Sequence, residues 1–242
     1  VYGAAAAAED VLIRVSERSS LQDSSPPPNT TSFNLVISAW SNSPEHQGAV
    51  RAKQILDLLL NLNELDADVI SFGTVIHAFG RRRQSARDVL DQAVGYFKDN
   101  QDVDMTQCWV GACYADEATH VDKFIEEALQ QPNVKSTAAL HRAGVEIWLK
   151  RSDIAKAERH LSILMKTGTV TVKDIHDIVA AWYKSRDPRA ALNATKWLER
   201  CEMPILMPTV PMFKMCIKLW MRRDTLPAVR QAHNLVKLAE SC

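Results

Sequence analysis

Arg142, His176, Lys214 and Lys218 are the side chains of this 242-residue chain whose types and spacing could most simply hold a ligand. A row of such cations binds phosphate oxygens without discriminating bases, which gives salt-sensitive and sequence-tolerant attachment to a polyanion. Glu146 stands one helical turn after Arg142 and offers it a local partner. A solvated polar face, or a docking surface for an acidic protein, is therefore the alternative use of the same row. Other chemistry is sparse. Cys108, Cys113 and His120 have no zinc-ligand spacing. His176 and Asp177 are sequence neighbours, and adjacent residues on a helix are expected to point apart. Arg81-Arg82-Arg83 is a short basic cluster, expected to pair with acidic neighbours. No phosphate-binding glycine loop, dinucleotide fingerprint, H-E-x-x-H or G-x-S-x-G element occurs. The expectation is a non-enzyme that uses no metal, no cofactor and no small-molecule substrate.

Composition agrees with an ordinary globular protein, since 46% of residues are hydrophobic and 24% charged. Lys+Arg and Asp+Glu are each 29, so the net charge is zero. That zero conceals a dipole. Residues 1–133 hold 10 basic and 19 acidic side chains, and residues 134–242 hold 19 basic and 10 acidic. Only the second half carries the signature of a nucleic-acid binder. No apolar run is long enough to span a membrane. Five cysteines, Cys108, Cys113, Cys201, Cys216 and Cys242, are odd in number and form no C-x-x-C pair, as expected of free and mostly buried thiols. The chain opens without Met inside a helical stretch, which reads as a fragment or a processed product lacking any targeting peptide.

An internal repeat positions these residues. An aromatic closes a run of mixed apolar residues at Trp40, Phe79, Trp148, Trp182 and Trp220, with Cys113 or Tyr114 in the remaining unit. Residues 28–40 and 208–220 align without gaps at a separation of 180 residues, or five periods of 36. That period points to stacked helical hairpins. After each aromatic comes a polar turn and then a small residue four before a larger apolar one: Ala52/Leu56, Ala86/Leu90, Ala157/Leu161, Ala194/Leu198 and Ala232/Val236. Both members of such a pair lie on one helix face, where a neighbouring helix can approach closely. Pro26-Pro27-Pro28, Pro132 and Pro208 stop helices between units, and Asp187-Pro188 and Ser152-Asp153 are expected to start second helices. The expectation is an all-α chain, an α-solenoid of about six helix-turn-helix repeats. An orphan helix and linker at 1–25 would complete a truncated unit, followed by hairpins at about 28–67, 68–101, 102–135, 136–169, 170–207 and 208–242. The tryptophans are expected to be hairpin-packing anchors rather than base-stacking surfaces.

At Asn29-Thr-Thr-Ser-Phe-Asn-Leu-Val-Ile-Ser-Ala-Trp40 and Asp68-Val-Ile-Ser-Phe-Gly-Thr-Val-Ile-His-Ala-Phe79 the sequence resembles the pentatricopeptide repeat family, whose first helix opens Thr-Tyr-Asn-x-Leu-Ile. The resemblance implies a right-handed superhelix and an organellar (mitochondrial or chloroplast) protein that binds single-stranded RNA, about one base per repeat. The family's two base-reading positions then fall on Asn34 with Asp68, a combination that resembles a uracil-favouring one, and on Gly73 with Asp102. Later units give Gln107 with Thr137, Arg142 with Thr171, His176 with Thr209, and Lys214 opening the sixth, with Lys218 one turn further on the same face. Gly73, Arg142, His176 and Lys214 depart from the family's usual readers, which implies degenerate readout. Asn29, Asp68, Asp102, Thr137, Thr171 and Thr209 are also residues that favour helix N-caps, so capping and base reading are both open to them. Two functions follow from the resemblance: an RNA-binding adaptor in organellar gene expression, or a scaffold subunit docked in a ribosome or a photosynthetic or respiratory membrane complex.

Overall fold

The computed structural model describes residues 3–20, 26–62, 64–115, 120–201 and 206–240, and among these it forms thirteen α-helices and no strand. A leading helix α1 (Ala4–Ser20) precedes six hairpins: α2 (Thr30–Asn42) with α3 (Gly48–Leu60), α4 (Val69–Arg81) with α5 (Arg87–Tyr96), and α6 (Thr106–Ala115) with α7 (Val121–Leu129). They continue with α8 (Thr137–Lys150) and α9 (Ile154–Lys166), α10 (Val172–Lys184) and α11 (Ala190–Glu199), and α12 (Val210–Met221) and α13 (Leu226–Glu240). The apolar, β-branched stretch from Ile70 to Phe79 is helical, like its repeat partners. Cys242 and the expected linker at 21–25 lie outside the described residues.

The chain divides into two compact units, Val1–Leu140 and His141–Cys242, a boundary close to the point where the charge balance reverses. In the first unit, first helices pack on first helices (α2 on α4, α4 on α6), and second helices support the next first helix (α3 on α4, α5 on α6). In the second unit α9 packs on α10, α10 on α12, and α11 on α12. The small-residue stripe makes this possible. Ala52, Ala86, Ala157 and Ala194 are buried together with Leu56, Leu90, Leu161 and Leu198, each worth roughly 1.5–3 kcal/mol for a fully buried leucine. The last pair differs: Ala232 is buried, but Val236 is 38% exposed on the terminal helix.

Indole rings close the seams. Trp40, Trp148, Trp182 and Trp220 are buried at the ends of first helices, as the repeat predicts. A buried indole also carries a donor that is costly to leave unpaired. Trp182 on α10 donates its Nε1–H to Glu158 Oε1 on α9 at 2.8 Å, and Trp220 on α12 donates to Thr195 Oγ1 on α11 at 2.9 Å. Trp40 on α2 donates to Glu9 Oε2 on α1 at 2.8 Å, and Arg51 pairs with the same buried carboxylate. Helix α1 thus gives α2 what α9 and α11 give α10 and α12, an acceptor for the buried indole.

Turn chemistry differs from expectation in two places. Asp187-Pro188 does not begin α11; the Asp187 carboxylate accepts the Arg189 N–H at 2.6 Å in a turn, and the helix starts at Ala190. Proline at this point fixes one turn residue before helical hydrogen bonding can propagate. Arg81 and Arg82 take carbonyls rather than carboxylates among the described residues. Arg81 Nη2 donates to the Ser41 carbonyl at 2.9 Å and Arg82 Nη2 to the Ser43 carbonyl at 2.8 Å, so they satisfy carbonyls left bare at the end of α2. Arg222 does the same for α10 through the Tyr183 carbonyl at 3.2 Å.

His141 and His160, both buried, face each other with 3.0 Å between their Nδ1 atoms, and a Cβ at Gly144 would lie 2.8 Å from the His160 ring. Gly144→Ala is therefore expected to lower stability in urea denaturation. Gly95→Ala, where a Cβ meets nothing within 4 Å, should raise it by about 0.5–1 kcal/mol. Burial first, and then the neighbouring His160, hold the His141 pKa below its ordinary value. The unfolded chain then binds more protons, so this contribution is intact above about pH 6.5 and is lost as pH falls through the lowered value. Melting temperatures measured between pH 7.5 and 5 should fall toward acid, and fall less steeply in His141→Gln.

Candidate nucleic-acid interface

Helix starts decide where the expected reading positions lie. Asn29, Asp68 and Thr171 are N-caps of α2, α4 and α10, each in a reciprocal capping box with the third helical residue: Ser32, Ser71 and Asp174. Asp68 Oδ1 accepts the Ser71 N–H at 2.8 Å, and Thr171 Oγ1 accepts the Asp174 N–H at 3.3 Å. Thr209 is the residue before α12, in extended conformation, with its N–H 3.3 Å from the Met212 sulfur.

The third and fourth units shift register. Asp102 sits in a turn, exposed, and caps nothing; its carbonyl accepts from Lys135 Nζ. Asp104, two residues later, accepts the Thr106 N–H at 3.0 Å at the start of α6. Burial opposes its ionisation, but hydrogen bonds from Thr106 and the Lys135 N–H, with the Lys135 charge, hold the Asp104 carboxyl below its usual value. Thr137 is the first residue of α8, and Ser136 Oγ accepts the Ala139 N–H at 3.4 Å. Gln107 is exposed one residue into α6.

In two units the reading position is bound to the next hairpin. Asn34 Nδ2 donates to both Asp68 oxygens at 3.1 and 3.2 Å, while its Oδ1 accepts from Ser71 Oγ at 2.6 Å. Arg142 Nε donates to Asp174 Oδ1 at 3.1 Å and its Nη2 to the Thr169 carbonyl at 2.9 Å. Each is a latch from one first helix onto the capping box of the following one, 37 residues on for Ser71 and 32 for Asp174. Asp174, rather than Glu146, is the partner that Arg142 takes; Glu146 lies within 4.0 Å of Lys150. Gly73 is buried, and a Cβ there would touch Cys108 Sγ at 3.7 Å, which makes it a packing position between α4 and α6.

Two basic positions of the second unit remain open. Lys214 and Lys218 are exposed one turn apart on α12, with no ion-pair partner among the described residues. His176 on α10 is half-exposed, and its Nδ1 lies 3.4 Å from Asp177 Oδ1, so these neighbours do meet despite the helical offset. Lys173, exposed three residues before His176 on α10, extends the same basic character. Its spacing was the signal that could have marked it.

Thiol chemistry is suppressed. Cys108, Cys113 and Cys216 are buried, Cys201 is half-buried, and none of the four is in a disulfide. Burial pushes the Cys108 and Cys216 thiols up to about 12, far from the thiolate needed for nucleophilic attack or metal binding at neutral pH. Among the described residues no cluster of three or more His, Cys, Asp or Glu could hold a metal ion. No helix among them is long and apolar enough to cross a membrane. No protein-family model matches the chain, and no curated protein matches it.

The latch geometry sets an asymmetric expectation. Asp174 is 5% exposed at its side chain and Arg142 41%. Asp174→Ala should therefore cost about 1–3 kcal/mol, because it strips a capping box as well as an ion pair, and Arg142→Ala clearly less. A double-mutant cycle by chemical denaturation checks this through a favourable coupling of about 0.5–1.5 kcal/mol.

Proposed function

We propose that the chain is a non-catalytic, pentatricopeptide-like helical-repeat adaptor that contacts single-stranded RNA through the first helices of its second unit. It tracks phosphates there and reads bases only degenerately. The observation that carries this reading is the open basic face of α12, where Lys214 and Lys218 stand exposed and without an ion-pair partner among the described residues, beside α10 with Lys173 and His176. Ammonium groups spaced one turn apart follow a flexible phosphate backbone without demanding a base sequence. Asn34, Asp68 and Arg142 contribute less to recognition, since their polar atoms already serve the latches. The resemblance of residues 29–40 and 68–79 to the pentatricopeptide family supports a setting in organellar gene expression for this role.

A scaffold role in a large organellar assembly is the second reading, and the same latches favour it. Polar groups engaged between hairpins stiffen a surface, which suits a protein partner better than base recognition.

Titration of an unstructured oligouridylate at rising salt tests the RNA reading. The Lys214→Glu/Lys218→Glu variant should bind about tenfold more weakly and lower the salt slope by about 1.4, or about 0.7 for each lost phosphate contact. Equal binding by wild type and variant, together with stoichiometric co-purification with a protein complex, would transfer the role to the scaffold.

A further inference from the structure

A second charged feature lies on the second helices of the same unit. Residues at positions one turn apart on α9 face residues one turn apart on α11 across a groove of about 330 Å3. Its floor is the buried Trp197 ring and the Glu158 carboxylate, whose Oε1 is held by the indole N–H groups of Trp182 and Trp197. Its rim carries Arg159, Lys196 and Arg200, all exposed and without an ion-pair partner among the described residues. Arg200 stacks its guanidinium 4.6 Å from the centroid of the Trp197 ring, which fixes the orientation of its donor fork.

We infer that this groove docks an acidic segment of a partner polypeptide. Three cations with different reach around a narrow trough match carboxylates on separate flexible stems, and the two guanidinium groups can each hold one carboxylate bidentately. The groove suits nucleic acid poorly. The one aromatic ring in its floor is covered by Arg200, so it offers no stacking platform for a base. This surface is separate from the α12 lysines and does not depend on their role, so an adaptor could hold RNA by its first helices and an acidic protein by its second.

Fluorescence anisotropy with a labelled hexaglutamate peptide at low salt tests the inference. Wild type and the Lys214→Glu/Lys218→Glu variant should bind the peptide alike, within about twofold. Arg159→Glu/Arg200→Glu should bind about tenfold more weakly, and Lys196→Glu alone, at an exposed helical position, should weaken it in the same direction. Oligouridylate should not displace the peptide. Undiminished peptide binding by both groove variants overturns the inference, as does loss of binding on changing only the α12 lysines. Full displacement by oligouridylate overturns it too. Far-ultraviolet circular dichroism and melting of each variant separate lost binding from lost folding.

Discussion

Three indoles at the ends of first helices, Trp40, Trp182 and Trp220, bury their rings and place the ring N–H on an acceptor outside their own hairpin. Each of these three rings fills a seam, and its acceptor stands on the preceding helix: Glu9 for Trp40, Glu158 for Trp182, Thr195 for Trp220. Dispersion and burial supply most of the energy, while the hydrogen bond fixes the register between neighbours. Nearest-neighbour interdependence of this kind is the energetic signature of repeat architectures. It also gives α1 its purpose, because without Glu9 the first indole would be buried with an orphan donor.

Polar contacts add a second layer of registration at both ends of the first helices. At the N-terminal end Asn34 and Arg142 reach the capping boxes of the following hairpins. At the C-terminal end Arg81, Arg82 and Arg222 reach back to carbonyls of the preceding first helix. These contacts draw on side chains that a nucleic-acid reader would need free. In the proposed reading, recognition falls on positions outside the latches: the lysines of α12, and the groove between α9 and α11 whose cations have no ion-pair partner among the described residues.

The legible part of the sequence was whatever depends on local spacing. The all-helical class, the buried alanine stripe and the caps at Asn29, Asp68 and Thr171 follow from residues a turn or less apart. What failed depends on through-space choices between similar residues. Asp102 and Asp104 are equally good caps by type, and only the contacts of Thr106 and Lys135 select the second. Arg82 could have met a carboxylate or a carbonyl, and the bare end of α2 won because it is closer and fixed in place. Glu146 and Asp174 were both within reach of Arg142 in principle, and the buried one with a capping box to complete was taken. The groove on the second helices was invisible in the sequence, because its two walls are some 40 residues apart and pair only once α11 is placed beside α9.

Hydrogen exchange at the indole N–H groups, followed by 15N-resolved NMR, addresses this interlocking most directly. Trp40, Trp182, Trp197 and Trp220 should exchange orders of magnitude more slowly than free indole, and Glu9→Ala should accelerate Trp40 while leaving Trp220 unchanged. Exchange at the free-indole rate for Trp40, Trp182 and Trp220 in the folded protein would contradict it, for then the rings would not be sealed between hairpins at all.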